Sequence, residues 1–310
     1  KSEVGNSYNS KAMTVLFRDF SGPRISPRGS VVCIGAFDGL HLGHRHLLAE
    51  ARRFADAGNM DLVVVSFEPL PREFFGKANP PPRLIRARQK FRALRDAGAD
   101  AVGLLRFNQA LADTSAEDFI EELLVQRLNA RHVLVGPDFF FGKGRRGDLG
   151  MLQELGAAHG FEARGVQPQV RQGERISSSL IRADLQAGRL QEAAQKLGRP
   201  YVIEGRVVRG KQLGRTLGYP TANIRLQGRK PALMGIYATW IHGVGNGPIA
   251  GVSSLGTRPT VNGREPLLEA HLFDFDGGAT VSFQSSDKYL SDRTWIARAE
   301  IDRFIAIDLL

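Results

Sequence analysis

The chain has 310 residues, 42% of them hydrophobic and 24% charged. That is enough apolar material for one large core or two ordinary ones, and a charge content that excludes wholesale disorder. Lysine and arginine number 42 against 32 aspartates and glutamates, a formal net charge of +10. Such a field draws anions (nucleotides, phosphorylated metabolites, RNA, acidic lipid) without choosing among them.

Lys1–Ala12 is polar and aperiodic. It lacks the apolar middle of a signal peptide and is expected to be a disordered arm or an expression remnant. The single cysteine, Cys33, sits in an apolar run, so no internal disulfide or cysteine-built metal site is expected. The longest clear apolar runs, Val31–Ala36 and Leu62–Phe67, are strand-sized rather than membrane-sized. A cytoplasmic location with no membrane partner is the resulting expectation.

Val31–Phe37 reads as a buried strand, followed by a glycine-rich turn and a helix over His44–Gly58 with Leu47, Leu48, Ala51 and Phe54 on one face. Further strands are expected at Leu62–Phe67, Ala101–Phe107 and His132–Val135, and further helices at Arg83–Ala97, Ser115–Arg127 and Asp148–His159. The helix at Ser115 opens with a capping-box-like Ser-Ala-Glu-Asp. Strands alternating with helices imply a doubly wound parallel sheet with helices on both faces.

After the short helical pieces Ser178–Gly188 and Leu190–Leu197 the rhythm changes. Strand-like runs follow at Tyr201–Val208, Gly235–Ile241, Ile249–Val252, Leu268–Phe273 and Ala279–Phe283, separated by turn residues. They predict a small antiparallel β-barrel. Thr294–Leu310 reads as an amphipathic helix. The expected organisation is an α/β domain over 13–188, a linker over 189–199 and a barrel domain over 200–310.

The turn Gly35-Ala-Phe-Asp-Gly-Leu-His-Leu-Gly-His44 joins the first long strand to the first helix. Open α/β sheets bind ligands there, and a helix N-terminus offers unpaired N–H groups to a phosphate. Gly35, Gly39 and Gly43 let the backbone approach a bulky anion. His41 and His44 are spaced to share a face of a first helical turn, where two imidazoles can hydrogen-bond an α-phosphate as charge gathers on it. The bland alternative is two surface histidines, which explains a lone His better than a His-x-Gly-His at such a turn.

The His41-Leu-Gly-His44 element resembles the nucleotidyltransferase superfamily, as does Ile176-Ser-Ser-Ser-Leu-Ile-Arg182. The resemblance implies ATP held along Gly35, Phe37, Gly39 and Gly43, catalytic roles for His41, His44 and Arg182, and departing phosphates held by Ser177, Ser178 and Arg182. Phe67-Glu-Pro-Leu-Pro-Arg-Glu-Phe-Phe and Val135–Asp148 resemble the FAD synthetase branch. Phe67, Asp138 and Phe139 are then expected to bind flavin, whose ring wants flat apolar partners; Phe139–Phe141 could equally be core. Leu70 and Phe140 depart from the residues usual in that branch.

Gly205–Ile224, which contains Gly210-Lys-Gln-Leu-Gly-Arg-Thr-Leu-Gly218 and Pro220-Thr-Ala-Asn223, resembles riboflavin kinases. Gly210, Lys211, Gly214, Arg215 and Gly218 form a basic, glycine-rich loop suited to ATP phosphates. In an extended segment Thr221 and Asn223 point to one side, and their oxygens are hard ligands suited to Mg²⁺. The resemblance implies that they hold that ion and that Glu269 is the catalytic base. His271, on the same strand face, reads as structural.

Similarity runs from about Ser30 to Gly277, beyond which Gly278-Ala-Thr departs from the kinase pattern. Together these resemblances imply a bifunctional enzyme using Mg²⁺ and ATP, with riboflavin, FMN and FAD as substrates and products. It is expected to be a monomer or weak homo-oligomer. The alternative is an adenylyltransferase with a catalytically weak kinase-like barrel. A cytidylyltransferase would share the His-x-Gly-His element but not Pro220-Thr-Ala-Asn223. A nucleic-acid binder would explain the charge, but no recognition-helix or zinc motif is present, so no nucleic-acid partner is expected.

Overall fold

The computed structural model describes residues 13–76, 78–171, 173–208, 221–226, 230–243, 247–260, 263–273 and 296–304, without the side chains of 258–265 and 296–304. By packing, these residues divide into two units. One lies within Lys1–Ala36, His44–Lys77 and Phe91–Pro168, the other within Phe37–Gly43, Ala78–Lys90 and Gln169–Leu310.

The first unit is built on a six-stranded parallel sheet in the order β1-β4-β3-β2-β5-β6. Its strands are β1 (Val15–Phe17), β2 (Ser30–Ile34), β3 (Asp61–Glu68), β4 (Ala101–Arg106), β5 (Ala130–Val135) and β6 (Glu162–Gly165). β2 is fully buried, as its unbroken Val-Val-Cys-Ile run requires of a strand covered on both faces. β1 and β6, the two edges, were not expected; at three and four residues they are too short to show a period.

The helices α1 (Leu42–Ala57), α2 (Pro71–Phe75), α3 (Ala87–Asp96), α4 (Gln109–Asp113), α5 (Ala116–Asp118) and α6 (Leu149–His159) are interleaved with these strands. The Ser115 hydroxyl accepts the Asp118 N–H at 2.9 Å, and α5 runs directly into a π-helical stretch, Phe119–Arg127. Asp148 caps α6 through the Met151 N–H, and Gly160 ends it at φ 79°. Val32, Ile34, Val63, Val65, Ile120, Leu123, Val133 and Leu152 form the core of this unit. The strand order reverses between β2 and β5, the place where such sheets open a ligand crevice at their carboxyl ends.

In the second unit α7 (Ser178–Gln186) and α8 (Leu190–Leu197) precede a closed antiparallel barrel in the order β10-β13-β12-β11-β14-β9. A two-residue pair, β7 (Val170–Arg171) and β8 (Glu174–Arg175), stands before them. The barrel strands are β9 (Tyr201–Val208), β10 (Thr221–Arg225), β11 (Gly235–His242), β12 (Ile249–Thr260), β13 (Gly263–Leu272) and β14 (Ile296–Phe304).

The helix expected over Thr294–Leu310 is corrected by β14, which pairs with both β9 and β11 and closes the barrel. Ala297, Ala299 and Ile301 also alternate with polar residues, so two hydrogen-bonded neighbours decide between the two periods. The expected strand at 279–283 lies outside the described residues. Leu84, Ile181, Leu185, Leu197, Tyr201, Ile203, Ile224, Tyr237, Leu255 and Leu268 share one apolar cluster, so α7, α8 and Leu84, in the bend at 84–85, pack continuously with the barrel interior.

Candidate functional site

The turn after β2 carries three residues with positive φ: Phe37 at 47°, Gly39 at 86° and Leu40 at 43°. The left-handed region costs a non-glycine residue about 1–3 kcal/mol, so the surroundings must hold this turn in place. Phe37 and Leu40 do so by burial. Phe37, expected at the nucleotide, has no exposed surface. Gly39 is needed twice, because a Cβ there would stand 2.9 Å from Leu84 Cδ1 at an unfavourable φ. At Gly43 a Cβ would lie 3.3 Å from the His41 ring, a tight approach. The Gly35 N–H is taken by Val65 O at 3.0 Å.

Asp38 anchors the turn. It is 1% exposed, and its Oδ1 accepts the N–H groups of Leu84 at 3.0 Å and Ile85 at 3.1 Å. Its Oδ2 is paired with the Arg182 guanidinium. The Asp38 carbonyl accepts the Ser178 hydroxyl at 2.8 Å, and the Gly39 carbonyl accepts Arg199 Nη2 at 2.9 Å. Ser177 caps α7 by accepting the Leu180 N–H at 3.2 Å. Arg182 also donates Nε–H to Pro82 O at 2.6 Å. The turn bearing His41 and the Ser177–Arg182 segment are therefore one assembly. Asp38 was missed as a site residue, although it stands inside the quoted Gly35–His44 stretch.

His41 is nearly buried. Burial first, and the Arg175 charge second, lower its pKa to about 4, so its imidazole is neutral at pH 7. His44 is half-buried in the first turn of α1.

Among the flavin candidates, Phe67 is half-buried and edge-to-face against Phe107 at 5.7 Å. Phe74 and Phe75 join it around Phe107, a ring cluster whose outer member Phe75 is 70% exposed. Phe139 stacks on Phe141 at 5.5 Å and packs against the core, while Asp138 is exposed.

The second candidate site lies on the barrel. Antiparallel register sets Asn223 opposite Glu269 and Thr221 opposite His271. Directly opposed residues present their side chains on one face, so these four share it. Ile224, Leu268 and Ala270 occupy the alternate positions and are fully buried. Asn223 is 7% exposed. Its Nδ2 reaches Thr221 O only at 3.5 Å, and its Oδ1 is buried with no hydrogen-bond partner among the described residues. An orphaned buried acceptor is costly, and here it stands beside a hydroxyl and across from a carboxylate. That donor set fits a hard divalent cation. Among the described residues no three His, Cys, Asp or Glu gather into a metal site of their own. Gly210, Lys211, Gly214, Arg215 and Gly218 lie outside the described residues.

The FAD synthetase family matches residues 24–180, and the riboflavin kinase family matches residues 197–289. The bifunctional riboflavin kinase/FMN adenylyltransferase of Escherichia coli K12 is 43% identical over 246 residues, 79% of each chain. The chain belongs to this bifunctional family. The protein of the same name from Pseudomonas fluorescens is 42% identical over 263 residues, 84% of each chain. A crystal structure described as a macrolide-efflux protein from Streptococcus pneumoniae superposes with a TM-score of 0.75 at 26% identity, covering 94% of this chain and 90% of that one. Among the described residues of this family member, no helix is long and apolar enough to cross a membrane.

Proposed function

We infer that this chain phosphorylates riboflavin with ATP to give FMN, then adenylylates FMN with a second ATP to give FAD and pyrophosphate. The observation that carries the reading is the presence of both family matches on one chain, together with the likeness to relatives named as bifunctional. The adenylyltransferase is assigned to 13–188 and the kinase to 200–310, with 189–199 between them.

In the front reaction an FMN phosphate oxygen attacks the α-phosphorus and pyrophosphate leaves. His41 and His44 hold the α-phosphate through imidazole hydrogen bonds, while the backbone at Gly35, Phe37, Gly39 and Gly43 lies along the nucleotide. Ser177, Ser178 and Arg182 stabilise the departing phosphates. Phe67, Asp138 and Phe139 border the flavin, for which the exposed Phe75 edge of the ring cluster supports a flat apolar contact.

In the rear reaction the riboflavin 5′-hydroxyl oxygen attacks the γ-phosphorus, ADP leaves, and Glu269 takes the hydroxyl proton. The loop residues Gly210, Lys211, Gly214, Arg215 and Gly218 contact ATP phosphates. Thr221 and Asn223 hold Mg²⁺, which when bound neutralises phosphate charge. A cytoplasmic location suits these soluble substrates.

Chromatographic product analysis from riboflavin, ATP and Mg²⁺ tests the reading. Wild type should yield FMN and FAD. His44→Ala should stop at FMN, and Asn223→Ala should make FAD only when FMN is supplied. Loss of FMN formation in a folded His44→Ala protein would refute the division of labour.

A further inference from the structure

A carboxylate buried to 1% exposure is expensive unless its charge and lone pairs are answered. Asp38 answers both: Oδ1 takes the Leu84 and Ile85 N–H groups, and Oδ2 takes Arg182. Well-packed apolar groups often replace buried ion pairs without loss of stability, so stability alone does not account for this arrangement. Its geometric effect is specific. With Nε committed to Pro82 O and Nη2 to Asp38, the guanidinium plane of Arg182 is fixed from two sides. The same residue sets the positive-φ turn that leads to His41, through the Ser178 hydroxyl on its carbonyl. One side chain thereby couples the turn that is to meet the α-phosphate with the arginine that is to meet the departing phosphates.

We propose that Asp38 is a positioning residue for adenylyl transfer, acting by orienting Arg182 and holding the His41 turn. This rests on the front-site reading above, in which Arg182 contacts the departing phosphates. Pre-oriented donors stabilise transition-state charge without reorganising at the moment of reaction. The loss of Asp38 therefore falls on kcat rather than on KM for ATP.

The test uses the full chain. Asp38→Asn keeps an acceptor for Leu84 and Ile85 but places an amide N–H₂ against Arg182. FAD formation from FMN and ATP should lose about 100-fold in kcat with little change in KM. FMN formation from riboflavin should stay at the wild-type rate, which also reports a folded chain. In a cycle with Arg182→Lys, the double variant should be no slower than Arg182→Lys alone, because both remove one device. Additive losses, or a wild-type kcat in Asp38→Asn beside an impaired Arg182→Lys, would overturn the inference and leave the front-site reading standing. Full FAD formation by Arg182→Lys would instead sink that reading, and this inference with it. Should Asp38→Asn lose both activities, Asp38→Glu decides. Normal FMN formation with slow FAD formation supports the proposal, and wild-type rates of both overturn it.

Discussion

Acidification from pH 7 to pH 4 should drain stability through His41. The folded state lowers its pKa from 6.5 to about 4, by burial first and by Arg175 second. The unfolded chain therefore binds a proton from pH 6.5 downward while the folded chain does not. By linkage the stabilisation is complete above the unfolded value and is lost as pH falls between the two, with no further loss below the lower one. A shift of that size corresponds to about 3 kcal/mol across the window. The direct assay is a proton NMR titration of the His41 Cε1–H resonance, assigned by its absence from His41→Gln. The linked assay compares denaturant stability of wild type and His41→Gln, whose difference should be flat above pH 7 and shrink toward pH 4. Adding an unreactive ATP analogue supplies phosphate charge that opposes both causes, so the titration should move upward. An imidazole that titrates near 6.5 in the free protein would refute the burial argument. One unmoved by the nucleotide would refute the phosphate contact.

Three further outcomes are expected. Asn223→Leu removes the orphaned acceptor, so thermal melts without Mg²⁺ should show a more stable apoprotein, by about 1 kcal/mol, while riboflavin turnover is lost; a destabilised apoprotein would mean that Oδ1 is satisfied. Glu269→Gln should slow FMN formation about 100-fold or more and spare FAD formation from supplied FMN, measured by chromatography. Gly39→Ala should cost about 1–3 kcal/mol in chemical denaturation through its positive φ and the Leu84 clash; Gly136→Ala, whose Cβ would meet nothing within 4 Å, is the near-neutral control.

Elements with a strong local period were legible. Leu47, Leu48 and Ala51 of α1 are buried as expected, and the run 31–34 is a buried strand, because three-dimensional context reinforces what the pattern already favours. β14 was not legible, since its two hydrogen-bonded neighbours are distant in sequence. Within the front site, the glycines and histidines announced a tight turn with acid–base groups. They did not announce that Gly39 answers to Leu84 and to its own positive φ. Nor did they announce that Phe37, placed at the nucleotide by its motif, has no exposed surface. Asp38 carried no local signal, because the partners that give it meaning, Leu84, Ile85 and Arg182, come from two other parts of the chain.

The rear site shows how core packing sets catalytic geometry. Spacing alone puts Thr221 and Asn223 on one side of a strand. Opposition of Asn223 to Glu269 depends on the β10–β13 register, and a one-residue slip would bring Leu268 or Ala270 across from Asn223 instead. A slip of β13 would turn Leu268 and Ala270 out of the barrel interior, and a slip of β10 would turn out Ile224, all of them at 0% exposure. Burying an Ile or Leu side chain is worth about 1.5–3 kcal/mol, so either slip carries a penalty that favours the observed pairing. The residues that keep the prospective base across from the prospective metal ligand are therefore the apolar ones facing away from the chemistry.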